Sequence, residues 1–209
     1  MKSNKSGTTI IEAIIAMFII IVGTIGVYTI YAKSQKISIS VENRVKAISI
    51  AREGIEVIQN IRDTNWVLFG ADSKNCWNVK DYEINCLGDN VGTHKIPAGS
   101  YKIIKDVDNR WKLIDLTSTT GNYDDQTFRD TFVVNVDADG LYTQSGGAQF
   151  KPLFTRKIEI SYIDTNSSGN GEKLDEKMLV KSIVSWGDNS KVGFYTVTLE
   201  NLLTNWKED

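Results

Sequence analysis

The sequence predicts an α+β protein, one long N-terminal helix packed on an antiparallel β-meander. Three observations predict it. Thr8–Ala32 is an apolar run in which Glu12 is the only charge. From Lys33 to Asp63 no proline interrupts a helical spacing of apolar residues. Beyond Gly99 the apolar period falls to two, in short segments separated by polar turns. Helix first and strands after is the order of a fold whose helix is segregated from its sheet.

The first run is long enough to cross a membrane. At about 1.5 Å per residue a helix over Thr8–Ala32 spans roughly 37 Å, against about 30 Å of hydrocarbon. An acid in such a span costs on the order of 2.5–3.5 kcal/mol at the centre and less near an end. Glu12 therefore asks for a cationic partner, and no Lys or Arg lies within the run. A secretory signal has an apolar core of about 7–15 residues and an A-x-A-like exit. Here the run is longer, Ile30-Tyr31-Ala32 matches that exit poorly, and no Cys follows as a lipoprotein requires. Lys2 and Lys5 precede the span and Lys33 and Lys36 follow it, so flanking charge does not set its orientation.

The helix is expected to continue to about Arg62. Ile37, Val41, Val45, Ile48, Ala51, Ile55 and Ile58 form one apolar stripe, and Ile50, Gly54, Val57 and Ile61 an adjacent one. This second half must bury its stripe, and the sheet of the same chain is the expected cover. Most charges between Arg52 and Asp63 are read as the solvated face of that helix. Gly23 and Gly26 each cost about 1 kcal/mol of helix propensity. They mark either close packing or the ordinary frequency of small residues in membrane helices.

Between Asn65 and Gly99 turn residues and both cysteines replace the periodic pattern, as in a loop after a helix. Tyr101–Lys105 and Trp111–Leu116 then read as a hairpin around Asp106-Val107-Asp108-Asn109-Arg110. Thr131–Val136 reads as a third strand, followed by a turn at Asp137-Ala138-Asp139-Gly140. Phe154–Ile163, Met178–Trp186 and Val192–Leu199 complete the meander, and Leu202–Trp206 is expected to dock against it.

Behind a short basic leader, Ser6-Gly7-Thr8-Thr9-Ile10-Ile11-Glu12 and the apolar run resemble the class III signal of type IV prepilins and pseudopilins. The stretch from Ala51 to Trp66 resembles the helix end of minor-pilin-like proteins. The resemblance implies a leader at residues 1–7, cut by a prepilin peptidase on the cytoplasmic side between Gly7 and Thr8. It implies N-methylation of Thr8, where the family usually carries Phe. Glu12 takes the position of the acid that sets register, neutralised in the fibre by the amine of a neighbouring subunit. The implied fold is pilin-like: a membrane and filament-core helix at 8–32, an amphipathic helix at 33–64 and a β-rich head at 65–209. The implied partners are membrane lipid before assembly, an inner-membrane assembly platform and other pilin subunits. The implied location is the cytoplasmic membrane, crossed once with the head outside the cytoplasm, and then a filament at the cell surface. The same orientation puts Cys76 and Cys86 outside the cytoplasm. A disulfide closing a small loop there is worth about 2–3 kcal/mol. Two free thiols, or half a metal site with the single His94, are the alternatives.

Little in the head points to chemistry, so neither enzymatic activity nor a cofactor is expected. Asp164, Asn166, Ser168 and Asp175 have the spacing of a calcium loop, but the flanks read as strands and the last ligand of such a loop should be Glu. A solvated hairpin turn accounts for them, and Asp137-Ala138-Asp139-Gly140 is a shorter version of the same pattern. One histidine makes no catalytic triad, and no phosphate or dinucleotide fingerprint is present. The five tryptophans are read as core or subunit contacts. A net charge of −2 gives no footprint for nucleic acid. Two other function classes compete: an unprocessed membrane-anchored binding module and a tethered hydrolase. Anchored modules place a flexible linker after the span; here the pattern stays helical, which favours the filament.

Overall fold

The computed structural model describes residues 8–87, 95–106, 108–149, 152–164, 176–187 and 193–205. A single helix, α1, runs over Thr8–Leu68, 61 residues without a break. It passes through two compact units, one ending at Arg44 and one beginning at Val45. In the first unit every described side chain from Ile10 to Ala32 is exposed. The hydroxyls of Thr24 and Thr29 donate to the carbonyls of Ile21 (2.9 Å) and Gly26 (2.8 Å). These threonines thus satisfy their polar atoms within the helix, as an apolar surrounding demands.

In the second unit α1 meets a seven-stranded sheet: β1 Gly99–Lys105, β2 Trp111–Asp115, β3 Val133–Val136, β4 Tyr142–Thr143, β5 Phe154–Asp164, β6 Glu176–Gly187 and β7 Phe194–Leu203. Among the described residues two short α-helices, α2 Ser73–Cys76 and α3 Gln126–Phe132, lie in the connections, with 3-10 turns beside α2. The expected hairpin is present, with Tyr101 opposite Asp115 and Lys105 opposite Trp111. Strands β5, β6 and β7 form the expected antiparallel run, from Ile158↔Ser182 to Ser182↔Leu199. The sheet is not a simple meander, however. β6 occupies one edge of β5 along its whole length, so β1 (Tyr101↔Ile158) and β3 (Val133↔Thr155) divide the other edge between them.

Strand ends shift by one or two residues from the sequence reading, and three differences go beyond that. The helix extends past Arg62 to Leu68. The strand expected over Thr131–Val136 begins at Val133, because Thr131 and Phe132 belong to α3. That helix is capped by Asp125, whose carboxylate accepts from the Thr127 N–H (2.8 Å), and packs Phe128 against Phe132, one turn apart, with the rings tilted (centroids 4.8 Å). Leu202 and Leu203 end β7 instead of forming a separate tail, while Trp206 and Val192 lie outside the described residues.

Both stripes on α1 meet the sheet, from Ile50 onward. Ile50, Val57 and Ile61 are buried together with Ala47, Ala51, Ile55 and Ile58, whereas Ile37, Val41 and Val45 are exposed. One cluster packs Ile55, Val57, Ile58 and Ile61 on Tyr101, Ile103, Leu113, Ile158, Met178 and Val180. A second packs Ala47, Ile50 and Ala51 on Val134, Phe154, Val184 and Trp186. Gly54 sits between them where helix and sheet come close. A Cβ built there would lie 2.5 Å from Ser182 Oγ, 2.9 Å from Ile158 Cδ1 and 3.3 Å from Arg156 Cδ.

Candidate functional site

The N-terminal part of α1 carries the residues singled out from sequence. Thr8 is the first residue of the helix, and Gly7 lies outside the described residues. Glu12 is exposed in an otherwise apolar stretch long and apolar enough to cross a membrane. What this surface can do is physical: bury its aliphatic face in lipid or against other helices, and offer one carboxylate to a cation supplied from outside the span.

The segment after α1 holds the disulfide. Cys76 and Cys86 are bonded, with Cα atoms 5.4 Å apart, and both are buried with Phe69 and Val79. Asn65, fully buried near the end of α1, donates its amide to the carbonyls of Val79 (2.9 Å) and Trp77 (3.3 Å). Trp66 Nε1 donates to Asn205 Oδ1 (3.2 Å), joining the helix end to the residues after β7. The cysteine-bearing segment is thus tied to the helix by its own backbone and forms no loose loop.

The calcium-loop reading falls outside what the structure describes: Asp164 ends β5, while Asn166, Ser168 and Asp175, like His94, lie outside the described residues. At Asp137 the carboxylate accepts backbone N–H groups from Asp139 (3.0 Å) and Leu141 (2.8 Å). That oxygen closes a turn.

Sequence reasoning missed a polar group inside the head. Arg156 on β5 is fully buried and points at α1. Its Nε donates to Gln144 Oε1 (3.2 Å), its Nη1 donates to the Ile50 carbonyl (3.4 Å), and Nη1 lies 3.6 Å from Glu53 Oε2. Gln144 also accepts from the Ile103 N–H (3.1 Å) and donates to the Phe132 and Arg156 carbonyls (3.1 and 2.7 Å). One cluster therefore joins the helix, β1, β5 and the residues beside β3 and β4. The signal was available: Phe154, Arg156, Ile158, Ile160 and Tyr162 share one face by the period of two. Glu53, read as part of a solvated face, is in fact half-buried against the sheet.

Burial raises the Glu53 carboxyl above its ordinary value; Arg156 offsets this first, then Lys105, and Glu56 adds to it. The folded chain thus holds this proton more tightly than the unfolded chain does. The stability Glu53 contributes is complete below the unfolded value and is lost as pH rises through the folded one. The urea midpoint of the wild-type protein, measured in detergent from neutral pH to about pH 5, should therefore rise relative to that of Glu53→Gln on acidification, because only the wild type gains this contribution. Parallel curves would mean that the burial does not matter. Asp115, held low by hydrogen bonds from Thr117, acts with the opposite sign and is common to both proteins.

In comparisons with protein-family models, curated proteins and solved structures, nothing matches this chain.

Proposed function

We propose that the chain is a structural subunit, of the minor type, in a type IV pilus or related secretion-like filament. A prepilin peptidase cuts it after Gly7, and it assembles through the N-terminal part of α1. The observation that carries this reading is the continuity of α1. One helix bears an exposed apolar stretch with a single acid, Glu12, and then, without a linker, a segment buried against the sheet. A tether for an independent module has no need of that continuity. Before assembly the apolar stretch resides in the membrane with the head outside the cytoplasm. In the fibre it packs against neighbouring helices, and the Thr8 amine of one subunit neutralises Glu12 of the next. Methylation of that amine keeps its charge.

An acid left without its cation opposes docking in a low-dielectric fibre core. In this reading an unpaired Glu12 disfavours wrong registers, and the paired one selects the correct register. Glu12→Ala should leave the protein in the membrane fraction at its normal level and absent from sheared fibres. Fibres that contain the variant in wild-type amounts would rule out the register role.

A further inference from the structure

Two tyrosines mark the apolar surface of α1 shortly before it ends. Tyr28 and Tyr31 are one helical turn apart and so lie side by side, 70% and 60% exposed. Lys33 and Lys36 follow on the next turns, also exposed. A ring with a polar tip is suited to the boundary between hydrocarbon and headgroups, and a lysine just beyond it reaches the phosphates.

Spacing supplies the second observation. Glu12 is the only charge in the opposite end of the run. At about 1.5 Å per residue Glu12 and Tyr31 lie roughly 28 Å apart along the axis, against about 30 Å of hydrocarbon. Between them the hydroxyls of Thr24 and Thr29 are bonded to the helix's own carbonyls, so neither requires water. The polar ends of the interval match the thickness of a bilayer core.

We infer that Tyr28, Tyr31, Lys33 and Lys36 form a girdle that binds the headgroup layer of a phospholipid bilayer and fixes the depth of the helix, holding Glu12 at the opposite surface. The inference rests on the membrane residence in the reading above, and not on cleavage or fibre entry. Without the two rings the apolar run extends to Lys33. The helix then centres farther along its length, taking Ala32 into hydrocarbon and moving Glu12 away from the surface.

The test uses the full chain in phosphatidylcholine–phosphatidylglycerol vesicles, with one spin label at a time introduced through Ala16→Cys, Ile20→Cys, Thr24→Cys or Ala32→Cys. The native cysteines are paired and buried, so each label has one site. Accessibility to oxygen and to a water-soluble nickel chelate reports depth. The deepest labels should be those at Ile20 and Thr24, while the label at Ala32 meets the chelate. Adding Tyr28→Leu and Tyr31→Leu should abolish chelate access at Ala32, down to the level at Thr24. A wild-type Ala32 site already as protected as Thr24, or one unmoved by the double substitution, would overturn the girdle. A flat depth profile would overturn it too. An intact Met1 on protein from cells, beside the expected depth profile, would instead count against the filament reading alone.

Discussion

Gly54→Val should prevent the head from folding stably, lowering its stability by about 3 kcal/mol or more. In an exposed helix, replacing glycine gains helix propensity, by up to about 1 kcal/mol for alanine. Here any Cβ meets Ser182 Oγ at 2.5 Å and Ile158 Cδ1 at 2.9 Å, and valine adds two methyl groups to that contact. The helix cannot retreat without opening both clusters, since Ile50 and Ala51 pack on one side of Gly54 and Val57 and Ile58 on the other. Gly54→Ala should cost less, because the serine hydroxyl and the isoleucine tip can rotate aside, and Ser182→Ala should recover part of the loss. The unfolding midpoint in urea, followed by tryptophan fluorescence of the detergent-solubilised protein, measures all three. A Gly54→Val protein as stable as wild type would mean that α1 and the sheet are not in close contact there.

Arg156→Ala should also be damaging, at about 2–5 kcal/mol, the range for truncating a large buried side chain to alanine. The loss has two sources. Truncation leaves a void under α1 near the start of β5, and it removes the donor from Gln144 Oε1, although that oxygen keeps the Ile103 N–H. Arg156→Met separates them by restoring most of the volume without the charge. Buried ion pairs are often replaceable by well-packed apolar residues, and Glu53, about a quarter exposed, can turn to water. Arg156→Met should therefore retain most of the stability that Arg156→Ala loses. Equal losses in the two variants would place the role of Arg156 in its charge and hydrogen bonds, with packing secondary.

The parts of the fold that were legible in the sequence are those set by local periodicity. The long helix, the hairpin of β1 and β2 and the run β5–β6–β7 each follow from a repeat of 3.6 or 2 within one segment. Pairings between segments distant in sequence were not legible. Nothing local shows that β1 and β3 share an edge of β5, since both pair by register across long connections. The point along α1 at which its apolar face becomes core was equally non-local. Only the sheet makes residues of both stripes core from Ile50 onward while Val41 and Val45 stay exposed, and Gly54 lies where helix and sheet come close. Thr131 and Phe132 were misassigned because aromatic and β-branched residues suit strands, whereas the Asp125 cap and the spacing of Phe128 and Phe132 make one turn of helix end there. Arg156 was visible as an inward-facing charge; its partner Glu53 could not be identified until the height of the helix on the sheet was known. The N-terminal residues are the reverse case. Gly7, Thr8 and Glu12 acquire meaning from the order of residue types along the chain, and the structure adds the unbroken helix that begins at Thr8.

Processing at that junction tests the central claim most directly. The intact mass and N-terminal sequence of the protein should be determined from its native membrane, with and without the prepilin peptidase. The account predicts an N-terminus at Thr8, one methyl group heavier than the bare amine, and present only when the peptidase is. An intact Met1, or a cut beyond Ala32, would contradict it and leave an anchored or secreted module as the leading reading.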